Sequence, residues 1–221
     1  MQKLLGSYNL DRCVLVFDLD DTLYKEIDFY RSGIKKVIQY IELNLGLEIS
    51  FEVKKRALIS SRFVDYLCEV YLLSDETKID LLNVYRSHVP NITLDEEVAG
   101  VISRAEKYAK DFIILTDGRS VTQRNKIKSL GLEHCKLYIS EEFESEKPDL
   151  KRFQLIEQKY PNCIYFYIGD NIEKDFIAPN LLKWVTIGLR DNGKNIHKNA
   201  NKSFPKINLP KFWINSLSEL I

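Results

Sequence analysis

The sequence predicts an α/β protein: a doubly wound, Rossmann-like parallel sheet with a small all-helical body inserted after its first strand. Two observations carry this. Five short apolar runs recur along the chain, and the stretches between neighbouring runs are long enough for crossover helices, which argues for a parallel sheet covered on both faces. The interval after the first run is by far the longest, and it shows helical apolar spacing with almost no strand signal.

The first run, Cys13-Val14-Leu15-Val16-Phe17, is a buried strand that stops at Asp18. Four similar runs follow: Phe112 to Thr116, Lys136 to Ile139, Cys163 to Ile168 and Trp184 to Leu189. In the insertion, from about Asp28 to Ser87, Ile34, Val37, Ile38, Ile41 and Leu45 form one stripe and Phe63, Leu67, Val70 and Tyr71 another. Breaks are expected at Gly46, at Glu48-Ile49-Ser50, at Ser74-Asp75 and at Pro90-Asn91. The domain reading is a core of residues 1–23 and 91–221 and a helical body of residues 24–90. A helix over about Leu94 to Ala109 returns the chain to the core. Ser120 is expected to cap the next helix, which runs to about Leu130 before Gly131, and Asp149 to open another that ends at Pro161. The Asn-, Lys- and Gly-rich tail after Leu189 reads as loop, with Arg190-Asp191-Asn192-Gly193 a turn. A last short strand at Phe212-Trp213-Ile214 and a capped turn after Ser216 close the chain.

Composition narrows the function. The 221 residues carry 32 Lys plus Arg against 32 Asp plus Glu, so a charge-driven nucleic-acid binder is not expected. At 45% hydrophobic and 29% charged, the chain is expected to be neither disordered nor membrane-spanning. Asn9, Asp11 and Arg12 interrupt the apolar character of the first residues, so no secretory leader is read and a cytoplasmic location is expected. Cys13, Cys68, Cys135 and Cys163 contain no C-x-x-C pair and read as reduced core cysteines. His88, His134 and His197 are scattered, without the spacing of a metal-binding pair.

Asp18-Leu19-Asp20-Asp21-Thr22 stands at the carboxyl end of the first strand, where open parallel sheets bind ligands. A second acid cluster, Gly169-Asp170-Asn171-Ile172-Glu173-Lys174-Asp175, follows another buried strand. Two like charges 4 Å apart repel by about 4 kcal/mol at an effective dielectric of 20, so converging carboxylates call for a cation. All-oxygen ligation without His or Cys points to magnesium. Thr116-Asp117-Gly118 ends another strand, and the helix beginning near Ser120 is expected to aim free N–H groups at an anion there. Lys147, before Pro148, is placed to complete a phosphate cradle.

With these segments in this order, the chain resembles the haloacid dehalogenase (HAD) superfamily, in the branch with a helical cap after the first strand. The resemblance spans nearly the whole chain. It rests on Asp18-Leu19-Asp20-Asp21-Thr22-Leu23-Tyr24, Thr116-Asp117-Gly118, Lys147-Pro148-Asp149, and Gly169-Asp170 with Asp175. Gln123, Lys126 and Leu130-Gly131-Leu132 look like the family's usual following helix. The resemblance implies that Asp18 is the nucleophile and Asp20 the general acid and base. Thr116, the N–H of Asp117 and Lys147 would bind phosphate. Magnesium would sit on Asp18, the Asp20 carbonyl and Asp170, with Asp175 reaching it through water or orienting Lys147. Asp20 argues against dehalogenation, because the family's dehalogenases lack an acid at that position. One departure is Glu142-Phe143-Glu144-Ser145-Glu146, where this branch commonly carries a glycine before the lysine.

The activity implied is hydrolysis of a small phosphomonoester, a sugar phosphate or related metabolite, by a monomer or homodimer with no nucleic-acid or membrane partner. A phosphomutase shares every signature. A phospho-Asp signalling module shares the Asp, Thr and Lys order but normally lacks the insertion and the second acid, and a catalytically idle binding protein is a further alternative. Tyr24, Arg31, Arg62 and Arg86 are candidates for the non-phosphate part of the substrate, although helical arginines usually lie on solvated faces.

Overall fold

A computed structural model describes residues 3–196 and 203–221. Its six strands are β1 (Cys13–Phe17), β2 (Asp111–Thr116), β3 (Lys136–Ile139), β4 (Ile164–Gly169), β5 (Val185–Leu189) and β6 (Phe212–Ile214). They form one all-parallel sheet in the order β3-β2-β1-β4-β5-β6. Strand order reverses between β1 and β4, so the crossover helices diverge there and leave a crevice at the carboxyl ends of the central strands.

Between β1 and β2 run α1 (Glu26–Asn44), α2 (Phe51–Ala57), α3 (Phe63–Tyr71), α4 (Asp75–Ser87) and α5 (Glu96–Tyr108). The others are α6 (Ser120–Ser129), α7 (Ser140–Phe143), α8 (Lys151–Lys159) and α9 (Ile177–Leu181). The period of two in β1 and β2 sorts side chains to the two faces. Leu15, Phe17 and Ile114 pack with Val101, Ile102 and Ala105 of α5 and Ile127 of α6. Val14, Val16, Ile113 and Leu115 pack with Phe153 and Ile156 of α8 and Ala178 of α9.

The helices α1 to α4 enclose a third apolar cluster of their own, built on Ile34, Val37, Ile38 and Ile41 of α1, Phe63, Val64 and Leu67 of α3, and Leu81 of α4. Ser50 and Ser74 cap α2 and α4 by accepting from Val53 N and Thr77 N, at 3.4 and 3.1 Å, so the sequence breaks there are helix starts. Leu45 and Val70, assigned to the buried stripes, are exposed, Leu45 as the residue that follows α1 and Val70 in the last turn of α3. The end of α4 docks on α6, where Thr122 Oγ1 donates to the Arg86 carbonyl at 2.8 Å and Asn125 Nδ2 to the Ser87 carbonyl at 2.9 Å.

Several local expectations are corrected. Ser120 is the first helical residue of α6 rather than its cap, and its N–H donates to Glu141 Oε2 at 2.7 Å, so that N–H is not free for an anion. The helix expected to open at Asp149 begins at Lys151, whose N–H the Asp149 carboxylate accepts at 2.6 Å. Short α7 was not foreseen, since four residues are too few to show periodicity. Where a glycine was expected before Lys147, Glu144 takes the left-handed conformation with φ 48° that glycine would adopt without strain. Among the described residues, no helix is long and apolar enough to cross a membrane. His197 lies outside them.

Candidate active site

The parallel register brings the acid-bearing strand ends level. Asp18 continues the ladder beyond β1 by donating its N–H to the Ile168 carbonyl at 2.8 Å, Thr116 ends β2, and Asp170 follows β4. Asp18, Asp20, Thr116, Asp117 and Asp170 line one crevice of about 80 Å³, together with Glu26 and Lys174.

Lys147 reaches this floor from the loop after α7. Its ammonium donates to Asp18 Oδ1 at 2.6 Å, to Asp175 Oδ1 at 2.7 Å and to the Tyr167 hydroxyl at 3.1 Å. Burial pulls the Lys147 pKa down, but Asp175 and Asp18 override it and hold the amine protonated, well above its ordinary value. The other Asp175 oxygen accepts the N–H groups of Asp170 and Asn171, at 3.2 and 2.9 Å. That loop needs Gly169, because a Cβ there would lie 2.5 Å from Asp175 Oδ2. Both oxygens of Asp175 are thus engaged, and its geometry is that of a group that orients Lys147.

The donor set fits a hard divalent cation. One oxygen each from Asp18, Asp170 and Asp175 lie within 4.8 Å of one another, all three residues buried. Burial, then Asp175 and Asp20 repulsion, raise the Asp18 pKa to about 7 against the pull of Lys147. Burial, then Asp175 and Asp18, raise Asp170 to about 9. Three carboxylates and one ammonium leave a deficit of two positive charges, and all-oxygen donors suit magnesium. Asp18 and Asp170 are the acids that could hold such an ion. Asn195 Nδ2 donates to Asp170 Oδ2 at 2.8 Å, and Asn195 Oδ1 accepts from Lys25 at 2.7 Å.

Asp20 occupies a different environment. Its Oδ1 accepts from Lys126 Nζ at 2.7 Å and from the Tyr24 hydroxyl, and its Oδ2 from Gln123 Nε2 at 3.2 Å. Burial raises the Asp20 pKa, but the charge of Lys126 and the three donors outweigh it and hold the carboxyl below its ordinary value. Gln123 also donates to the Asp117 carbonyl at 2.6 Å, crossing so close to Gly118, φ 140°, that a Cβ there would lie 2.7 Å from Gln123 Nε2. The Asp117 carboxylate accepts from Arg152, from the Lys147 N–H at 3.2 Å and from Lys174 at 3.2 Å. Arg152, fully buried, also donates to the carbonyls of Thr116 and Tyr138, at 2.9 and 3.0 Å, and so fixes the loop after β2.

Of the residues proposed for the rest of the substrate, only Tyr24 contacts the acid cluster. Arg31 and Arg62 pair with Asp28 at 3.6 Å and Asp65 at 2.8 Å on their own helices, on exposed faces. Arg31 lines a separate groove of about 630 Å³ beside the segment 88–93. Arg86 is half-buried where α4 meets α6. Sequence reasoning missed Glu26, Lys174, Arg152 and Asn195. Asn195 lies in the tail assigned to loop, where Asp191 Oδ1 accepts the N–H groups of Gly193 and Asn195 at 2.7 and 3.0 Å and turns it inward. The four cysteines are free, but only Cys13 is buried. Cys135 and His134, read as isolated, meet Glu106, with His134 Nε2 2.6 Å from Glu106 Oε1.

A parallel sheet ordered β3-β2-β1-β4-β5-β6 with these signature segments at one end defines the class of fold: it is the fold of solved HAD-superfamily hydrolases. Its curated relatives include the glyceraldehyde 3-phosphate phosphatase of Methanocaldococcus jannaschii, 24% identical over 94% of each chain. The enzyme of the same name from Methanopyrus kandleri is 26% identical over 80% of this chain and 83% of its own length. Among solved structures, the HAD-hydrolase YfnB from Bacillus subtilis, bound to magnesium, superposes with a TM-score of 0.65 at 18% identity, covering 94% of this chain and 96% of that one. No family model matches the chain.

Proposed function

We propose that the chain is a magnesium-dependent phosphatase that hydrolyses a small phosphomonoester through an aspartyl phosphate on Asp18. One observation carries the reading: Asp18, Asp170 and Lys147, 129 residues apart for the Asp18–Lys147 pair, meet in one buried cluster beside Thr116 and Asp20. The names of the two curated relatives favour a phosphorylated small molecule, glyceraldehyde 3-phosphate among the first to test.

Asp18 attacks phosphorus in line, and the alcohol leaves with a proton from Asp20. Asp20 then takes a proton from water, which attacks the aspartyl phosphate and releases inorganic phosphate. In the resting crevice Asp20 is held as a carboxylate, the form needed for this second half, so the proton for the first half arrives with the phosphomonoester monoanion. Thr116, the N–H of Asp117 and Lys147 hold the phosphoryl oxygens, and Lys147 offsets charge that grows at the transition state. A divalent ion on Asp18, Asp170 and the Asp20 carbonyl would neutralise the remaining negative charge between acid and phosphate. Residues 24–90 act as the cap over the crevice, with Tyr24 and Glu26 at its hinge. A cytoplasmic site of action accords with the free cysteines.

The test is phosphate release from a panel of sugar and triose phosphates and phosphoglycolate, with and without magnesium. Asp18→Asn should abolish hydrolysis, Asp20→Asn should abolish it for these sugar and alkyl esters, whose leaving groups need a proton, and an unchanged rate in Asp18→Asn removes the nucleophile assignment. A phosphomutase would instead return the phosphoryl group to a second hydroxyl without steady release of phosphate.

A further inference from the structure

We propose that Lys126 is a positioning residue for the Asp20 carboxyl, fixing the direction in which that acid meets the leaving oxygen. The inference rests on the assignment of Asp20 as acid and base made above. Gln123 and Lys126 stand one turn apart on α6, so their side chains rise from one face of the helix. They take one carboxylate oxygen each: Lys126 Nζ lies 2.7 Å from Asp20 Oδ1 and Gln123 Nε2 lies 3.2 Å from Oδ2. Tyr24, from the turn after β1, donates to Oδ1 as well. A carboxyl gripped at both oxygens by three donors has lost its free rotation about the Cβ–Cγ bond.

The burial of Lys126 argues that the grip is selected for more than packing. The residue is only 3% exposed, and lysines are rarely that buried without a partner. An apolar side chain of similar volume would fill the same space without the cost of desolvating an ammonium. The ammonium lies 4.3 Å over the ring of Phe29 of α1, which closes its remaining side by a cation–π contact. Phe29 also packs against Tyr85 and His88, with ring centroids 5.5 and 4.9 Å away. Lys126 thus links the acid to the first helix of the insertion as well as to α6.

The readout is the dependence of kcat/KM on leaving-group pKa, measured over a series from dinitrophenyl phosphate to simple alkyl phosphates. A good leaving group departs without a proton, whereas an alkoxide needs one. The wild type should show a shallow dependence, and Asp20→Asn a steep one. Lys126→Met should steepen it too, losing about 100-fold on alkyl phosphates, the scale of general-acid catalysis, and only a few-fold on dinitrophenyl phosphate. Tyr24→Phe, which removes a donor to the same oxygen, should steepen it less. Should Lys126→Met fail to fold, Lys126→Gln is read the same way. A uniform loss in the Lys126 variants, parallel to the wild type, would mean that the ion pair only braces α6 and would overturn the inference. If Asp20→Asn itself leaves the dependence unchanged, it is the acid assignment that fails, and the Lys126 proposal falls with it.

Discussion

Lys147 and Lys126 bring buried ammonium groups to two acids of one crevice, Asp18 and Asp20, and leave those acids in opposite states. Lys147 is shared between Asp18 and Asp175, with Asp170 close by, and Asp18 is still raised to about 7. Lys126 contacts one acid, Asp20, which Tyr24 and Gln123 also hold, and that carboxyl stays below its ordinary value although burial pushes it up. The difference teaches that burial raises every acid here, and that the ratio of carboxylates to cations and other donors around each one decides whether the rise is offset. The Lys147 side is short of positive charge and calls for an ion. On the Lys126 side the ion pair keeps Asp20 charged, while Glu26, lining the same crevice, is raised to about 8 by burial and by Asp20.

The sharpest way to break this comparison is to remove each ammonium. Lys147→Met leaves Asp18 and Asp175 buried without their cation, so stability should fall by about 3–5 kcal/mol and hydrolysis by at least about 100-fold. The denaturant midpoint and phosphate release measure the two effects, and an unchanged midpoint would mean that the cluster is not strained by its own charge.

The charge deficit also fixes the sign of the pH dependence. Asp18 at about 7 and Asp170 at about 9 both lie above the ordinary carboxylate value of 3.8. Their contribution to stability is full below about pH 4 and is lost as pH rises through those two values. Without metal, the melting temperature should therefore fall between pH 6 and pH 9, and the rise produced by magnesium should be larger at pH 9 than at pH 6. A magnesium effect independent of pH would contradict the assignment of these acids as its ligands. Asn195→Ala, which frees Asp170 Oδ2 from its donor, should weaken magnesium binding about tenfold in a calorimetric titration, the usual scale for a group that orients a metal ligand. The smallest effect is expected far from both lysines. Glu144→Gly should stabilise the protein by about 0.5 kcal/mol in thermal or chemical melts, the relief of a left-handed residue less the added freedom of the unfolded chain.

The same two lysines mark how far the sequence was legible. Lys147 stands in a motif before a proline and after a strand, so its order along the chain revealed its place. Lys126 was visible only as part of a familiar helix, because its partner lies 106 residues away and nothing local predicts the pairing. The strands were legible for a plain reason: a parallel sheet buried on both faces writes continuous apolar runs, and all five expected in sheet order appear within a residue or so of their bounds. Phe212–Ile214 was legible on the same ground, as β6 beside β5. Asn195 was not, because a polar residue in an Asn- and Lys-rich tail looks like solvent-exposed loop until Asp191 turns the backbone inward. Ser120 was misplaced as a helix cap because the Glu141 carboxylate, from elsewhere in the chain, accepts its N–H, whereas Asp149 does accept an opening N–H, that of Lys151, two residues beyond where its helix was expected to begin.

The central claim is that Asp18 carries the phosphoryl group during turnover. Acid quenching of the protein in steady state with a substrate bearing radiolabelled phosphate, followed by digestion and mapping, tests it most directly. Label on the peptide containing Asp18, lost in Asp18→Asn, is the predicted result; steady hydrolysis with no label on that peptide would contradict it.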